Sequence, residues 1–153
     1  MKPTPRSIRL AARAVLVHED RLLLVNAWPA SKASELWCAP GGGAEAHESL
    51  PANLAREVHE ETGLRVAVGA PCLVNEFHSP RRRWHQVEVF FRCTLLEGVL
   101  DAAWKDPEGI VTSRRWVTRA EMAGMLVRPA ALEAVAWGDG AAPTYDPLEL
   151  ILE

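Results

Sequence analysis

Apolar and polar positions along the chain switch between two periods. Residues 8–17 and 21–28 are apolar, β-branched runs parted by His18, Glu19 and Asp20, a pattern that predicts a β-hairpin with both strands in a central sheet. A polar loop of small residues, 29–35, precedes the brief apolar run Leu36-Trp37-Cys38-Ala39, predicted as a short strand that delivers the chain to Pro40 and the glycines Gly41, Gly42 and Gly43. Ser49 is placed to cap a helix, Pro51 sits in its first turn where a missing N–H costs nothing, and Gly63 follows Thr62 as the stop. Leu50, Leu54, Ala55 and Val58 form an apolar stripe along that helix.

Residues 65–77 alternate loosely and are rich in valine, with an interruption at 69–71, so they predict a broken strand followed by a turn at 78–83. The run HQVEVFFRC within 84–95 predicts the strongest strand of the second half, central in the sheet. A polar loop, 96–109, carries Asp101, Asp106 and Glu108, and a strand is predicted over 110–117. Thr118 can cap a helix through Leu126, and Pro129 can open another to Trp137. The C-terminal tail, 138–153, with Pro143, Pro147 and the run LELILE, fits a terminal strand, a dimer arm or a disordered end. Residues 1–6, basic and proline-containing, fit a flexible arm.

A length of 153 residues and 48% hydrophobic content suit a single domain spanning 1–153 with one core. The net charge of −3 exerts no general pull on nucleic acid, so no stable nucleic-acid partner is expected, and any basic phosphate site among the 17 Lys+Arg must be local. Cys38, Cys72 and Cys93 match neither a disulfide framework nor a CxxC metal site and are expected to be buried and reduced. No apolar run approaches the ~20 residues that span a bilayer, and the start MKPTPRSIRL lacks the apolar core of a signal peptide, so a soluble cytoplasmic protein is expected.

Chemistry concentrates on the helix after the glycines. Glu57, Glu60 and Glu61 fall at i, i+3 and i+4, on one helical face where a divalent metal could be held. Written as a spacing, the stretch is Gly42, five residues, Glu48, seven residues, then Arg56-Glu57-Val58-His59-Glu60-Glu61-Thr62-Gly63-Leu64. It resembles the Nudix box, Gx5Ex7REUxEExGU with U aliphatic, and every fixed position is filled. At about 7% usage per residue type, an accidental match of the fixed positions is on the order of 10⁻⁸ per starting point. The hairpin before the box, the lead-in from Trp37 to Gly43 and the later Arg115-Trp116-Val117 also resemble this family. His47 stands where many members have glycine.

The resemblance implies an α/β/α sandwich with a mixed sheet, the box helix on one face and the C-terminal helices on the other. It also implies hydrolysis of a pyrophosphate linkage with Mg²⁺ or Mn²⁺ as cofactor. Such a link repels a nucleophile, and a hard cation held by oxygen ligands offsets that repulsion. Glu57, Glu60 and Glu61 are the expected ligands, with the backbone carbonyl of Gly41 as the further ligand the resemblance implies; one of these carboxylates or a more distant one would take the proton from water. Glu48 and Arg56 are expected to support the loop and helix. Glu108 is the first candidate for an acid completing the site from a later loop, and Glu88 the second.

Arg81, Arg82, Arg83 and Trp84 can hold phosphate oxygens and stack a base, or form a solvated turn. Pro80, sixteen residues past Leu64, resembles a marker of ADP-ribose pyrophosphatases, and Tyr145 lies too far along to match diadenosine polyphosphate hydrolases. His78 and His85 are open between site and surface, while His18, His47 and His59 read as surface residues. The expected substrate is a small nucleotide, a nucleoside diphosphate linked to another moiety, with ADP-ribose and nucleotide sugars ahead of nucleoside triphosphates. A non-catalytic Nudix-fold nucleotide-binding or regulatory module is the alternative, and a homodimer is a possible assembly.

Overall fold

The computed structural model describes residues 7–27, 35–140 and 142–151. In chain order the elements are β1 (Arg9–His18), β2 (Arg21–Asn26), β3 (Leu36–Cys38), β4 (Gly41–Gly43), α1 (Leu50–Thr62), β5 (Arg65–Ser79) and β6 (Trp84–Glu97). There follow β7 (Arg114–Thr118), α2 (Arg119–Met122), β8 (Leu126–Val127), α3 (Leu132–Ala136) and β9 (Thr144–Leu150). The expected arm at 1–6, residue 28 and nearly all of the loop at 29–35 lie outside the described residues.

The expected hairpin forms with a two-residue turn, Glu19 and Asp20, both left-handed at φ 50° and 63° as a turn between right-twisted strands requires. Its strands pair only beside the turn, at Val17–Leu22 and His18–Arg21, and then part. β1 continues parallel to β6 from Arg9–Gln86 to Leu16–Cys93, while β2 runs antiparallel to β7. The mixed sheet has the order β8-β3-β2-β1-β6-β5-β9, with β4 on β1 and β7 on β2, so β6 is central as its composition predicts.

Helices cover both faces, as expected for a sandwich. The two-residue alternation of β1 sends Ala12, Ala14 and Leu16 toward α1, where they pack with Leu54, Val58, Leu64 and Phe91. Val15 points to the other face, into a cluster with Leu24, Leu73, Phe90, Met122, Leu132 and Val135. Each fully buried leucine contributes roughly 2 kcal/mol. No helix among the described residues is long and apolar enough to cross a membrane.

Several boundaries differ from the sequence expectation for local reasons. β5 is one 15-residue strand that absorbs the predicted break as register shifts around Pro71, and it runs to Ser79, which shortens the turn to 80–83. The strand expected over 110–117 begins at Arg114, because side chains take the preceding amides: Asn26 Oδ1 accepts from Thr112 and Ser113 N–H, and Asp106 from Ile110 and Val111 N–H. Thr118 caps a helix through a full capping box with Glu121, but that helix ends at Met122 and Leu126–Val127 pair with β3. The helix expected from Pro129 starts at Leu132. Of the alternatives for the tail, a terminal strand forms, β9, parallel to β5. Cys72 and Cys93 are buried, whereas Cys38 is only half-buried; all are free thiols.

The box helix carries the expected signals. Ser49 Oγ accepts from Ala52 N–H at 3.2 Å, and Gly63, left-handed at φ 76°, donates its N–H to His59 O at 2.8 Å. A Cβ on Gly63 would also lie 2.9 Å from the ring of Trp104, whose indole N–H donates to Glu60 O. Gly63→Ala is therefore expected to lower stability by about 2 kcal/mol, from left-handed strain plus displacement of Trp104. Urea denaturation measures this, and a loss below about 0.5 kcal/mol would show that the ring moves aside freely.

Candidate active site

Asn53, Glu57 and Glu61 recur every four residues on α1 and form a polar strip that is 0%, 7% and 8% exposed. This strip faces the glycine loop. Asn53 binds the loop from inside: its Nδ2 donates to Gly43 O at 3.1 Å, and its Oδ1 accepts from Glu45 N–H at 3.1 Å and Arg56 Nη2 at 3.0 Å. Gly42 must lack a side chain, since a Cβ there would lie 2.7 Å from the Glu57 carboxyl carbon. Arg56 works on the rim, reaching Glu48 at 3.2 Å and Glu60 at 3.3 Å, which fits the supporting role expected of Glu48 and Arg56.

The loop 98–113 brings in Glu108. Asp106 accepts from the N–H groups of Glu108, Ile110 and Val111, while Trp104 and Arg114 donate to the backbone carbonyls of Glu60 and Glu61, so the loop is tied to the end of α1. One carboxylate oxygen from each of Glu57, Glu60 and Glu108 lies within 4.8 Å of the others. Glu61, expected beside them, instead accepts from Gly41 N–H at 3.0 Å. The Gly41 carbonyl, expected as a ligand, accepts from Arg13 Nη1 at 3.2 Å.

Burial raises the proton affinity of Glu57 and Glu61. Glu57 is pushed above the ordinary carboxylate range by burial and then by Glu108 and Glu60, against the pull of Arg56 and Arg13. Burial pushes Glu61 up to about 8; Arg13 and the Gly41 N–H oppose it, and Glu57 and Asp106 add to it. Behind them lies an ion pair, Arg13 Nε to Glu88 Oε2 at 2.6 Å, with side chains 18% and 7% exposed. Gln86 Nε2 donates to the same carboxylate at 3.1 Å, and the Asn75 amide, turned to donate, reaches Glu88 Oε1 at 3.0 Å.

These groups face a cavity of about 860 Å³ that also takes in Arg9, Arg82, Trp84 and residues 149–151 of the last strand and its end. Of the expected substrate-binding residues, Arg82, Trp84 and Glu88 line it, whereas Arg81 and Arg83 stand on the exposed turn outside it. Glu88 is held by Arg13 and lies apart from the carboxylate cluster. Cys38 lines the cavity too, with its thiol pushed up to about 12, by burial first. His59 packs edge-on to Trp104, and His78 and His85 are tilted neighbours with centroids 6.0 Å apart, His85 Nε2 lying 3.4 Å from Glu76 Oε1. Sequence reasoning missed Asn53, whose signal was its place one helical turn before Glu57. It also missed Arg9 and Arg13, which carry no local signal.

A NUDIX domain model matches residues 7–138. The mouse diphosphoinositol polyphosphate phosphohydrolase 3-alpha is 35% identical over 98 residues, which cover 64% of this chain and 55% of that protein, so the chain spans about half the length of this relative. Among solved structures, a UDP-X diphosphatase superposes with a TM-score of 0.71 at 18% identity, covering 96% of this chain and 70% of its own. An ADP-ribose pyrophosphatase from Streptococcus suis gives 0.64 at 24% identity, with 94% and 100% covered. At these identities the structural matches show a shared fold.

Two measurements test the electrostatic frame. Arg13→Met leaves Glu88 buried without its cation and is expected to cost about 3 kcal/mol by denaturant titration, most of it recovered in Arg13→Met/Glu88→Leu; an additive double mutant would refute the pairing. Glu61 is costly to ionise, so in chelator its burden on the fold is absent below pH about 4.5 and grows as pH rises toward about 8. Glu61→Gln should then raise the melting temperature at pH 8 and match the parent near pH 5, read by scanning calorimetry in EDTA.

Proposed function

The chain belongs to the NUDIX domain family, and on that premise we propose that it hydrolyses the pyrophosphate linkage of a nucleoside diphosphate joined to a second moiety, assisted by Mg²⁺ or Mn²⁺. ADP-ribose and nucleotide sugars head the substrates, with nucleoside triphosphates next. The observation that carries this reading is the convergence of Glu57, Glu60 and Glu108 to within 4.8 Å of one another, with Glu57 and Glu108 lining a cavity large enough for a nucleotide.

The donor set fits a hard divalent cation: carboxylate oxygens only, with Glu57 raised by burial and then by Glu108 and Glu60, beside a glycine whose missing side chain leaves them room. Glu57, Glu60 and Glu108 would hold it, with Glu61 and the Gly41 carbonyl adjacent. When bound, such a cation supplies Lewis-acid charge against phosphate oxygens and makes water a better nucleophile.

The chain's own residues do the positioning. Arg56 fixes Glu60 from the rim, and Asn53 fixes the loop against α1, so the carboxylates are set before substrate arrives. Trp84 and Phe77 offer apolar faces to a base, and Arg82 offers a guanidinium to phosphate oxygens. The name of the mouse relative adds a second substrate class, diphosphoinositol polyphosphates, that carries the same bond. Against a non-catalytic binding module stands the complete carboxylate set.

A phosphate-release screen over nucleotide sugars, dinucleoside polyphosphates, nucleoside triphosphates and diphosphoinositol polyphosphates, with Mg²⁺ and Mn²⁺ compared, tests the reading. On the best substrate, Glu57→Gln and Glu60→Gln are each expected to cut kcat about 100-fold, and Glu108→Gln about 10-fold. Unchanged turnover in all of them would remove the carboxylate assignment, and tight nucleotide binding without product release across the panel would favour the binding module.

A further inference from the structure

Beside the main cavity lies a smaller one of about 390 Å³, lined by Ser7, Arg9, Arg83, Trp84 and His85. Arg9 and Trp84 line both. The Arg9 guanidinium lies 5.5 Å from the centre of the Trp84 ring, and its Nη1 donates to the neutral Gln86 Oε1 at 2.6 Å. Among the described residues no carboxylate pairs with Arg9 or Arg83, and no acid lines the small cavity. Arg83 holds a left-handed φ of 56° at the end of the 80–83 turn, a conformation unfavourable for a non-glycine residue. Two guanidiniums and a hydroxyl thus line this cavity together with the indole and with His85, whose Nε2 lies 3.4 Å from Glu76 Oε1; Glu57, Glu88 and Glu108 act on Arg9 only from outside the small cavity.

We propose that this side cavity is a second anion subsite, taking a phosphate monoester of the same substrate whose pyrophosphate faces Glu57, Glu60 and Glu108. Guanidinium forks match the oxygens of a tetrahedral phosphate and bind it through paired, charge-assisted hydrogen bonds. The shared wall of Arg9 and Trp84 joins the subsite to the reaction cavity. Within the proposed class, a substrate that carries a phosphate beyond the scissile linkage is then preferred over its unphosphorylated counterpart.

The test has two parts, of which only the second rests on the hydrolase reading. In EDTA and low salt, inorganic phosphate titrated into the protein and followed by amide NMR shifts should move the signals of Arg83, Trp84 and His85. Arg83→Gln should weaken that binding about fivefold or more, while Arg65→Gln, which removes an exposed arginine far along the chain, should change it less than about twofold. Equal effects of the two variants, or no shifts at Arg83 to His85, overturn the subsite whatever the enzyme hydrolyses. In turnover, the preference in kcat/KM for a substrate carrying an added phosphate monoester over its unphosphorylated counterpart should fall about fivefold or more in Arg83→Gln. If phosphate binds but no such preference exists in the parent or it survives the substitution, the site serves free phosphate and the assignment to the substrate is overturned.

Discussion

Glu57 and Glu61 are carboxylates placed where water is nearly excluded, and Glu60 and Glu108 crowd Glu57 further. Like charges in such a place repel strongly, because little solvent remains to screen them. The fold offsets this only in part. Arg56 reaches Glu60 from the rim, the Gly41 amide binds Glu61, and Arg13, which also acts on both acids, is already held by Glu88. A deficit of positive charge is therefore built into the centre of the molecule, and the glycine loop, α1 and the loop 98–113 all converge on it. A helix carrying these residues for stability alone would be better served by apolar side chains along the same strip.

The sheet that supports this centre builds core and cavity by one rule. Along β6, alternate residues Gln86, Glu88 and Phe90 share a face; along the paired β1, so do Arg9, Arg13 and Val15. Toward one end of these rows the side chains are Phe90 and Val15, packed under α3, and toward the other they are polar and line the cavity. The cavity floor thus inherits the rigidity of a hydrogen-bonded sheet. Its rim, by contrast, comes from the turn 80–83, the loop 98–113 and the end of β9, whose residues can change without disturbing the pairing.

This division explains what could be read from the chain. The box helix, its caps at Ser49 and Gly63, the hairpin at Glu19–Asp20 and the central place of β6 were legible because each depends on neighbours within a few residues. Glu108 was legible as an acid in a polar loop, though not the means by which Asp106 folds that loop toward α1. Arg13 was not legible, because its meaning comes from Glu88 75 positions away, across a parallel register that no local pattern encodes. The strand expected over 110–117 lost its first four residues for the same reason: the distant Asn26, with Asp106, captured amides that would otherwise have joined a ladder. The long helix expected after Thr118 failed because pairing of Leu126 and Val127 with β3 outweighed a modest helical preference.

The arrangement of charge separates what the box determines from what it leaves open. Arg13 lies deep but is neutralised at 2.6 Å by Glu88, so it shapes the carboxylates more than it attracts an anion. Arg9 sits at the exposed mouth, where among the described residues it contacts a neutral amide and an aromatic face and forms no carboxylate ion pair, though Glu57, Glu88 and Glu108 act on it from a distance. The cavity accordingly runs from a wall that wants a cation to a mouth that offers one. A phosphorylated molecule entering it meets attraction first at the mouth, and then, only with a metal between them, at the carboxylates. Under the proposed function, the box would govern which bond can be attacked, whereas Arg9, Trp84 and the turn beside them would govern which molecules are presented in the orientation that allows it.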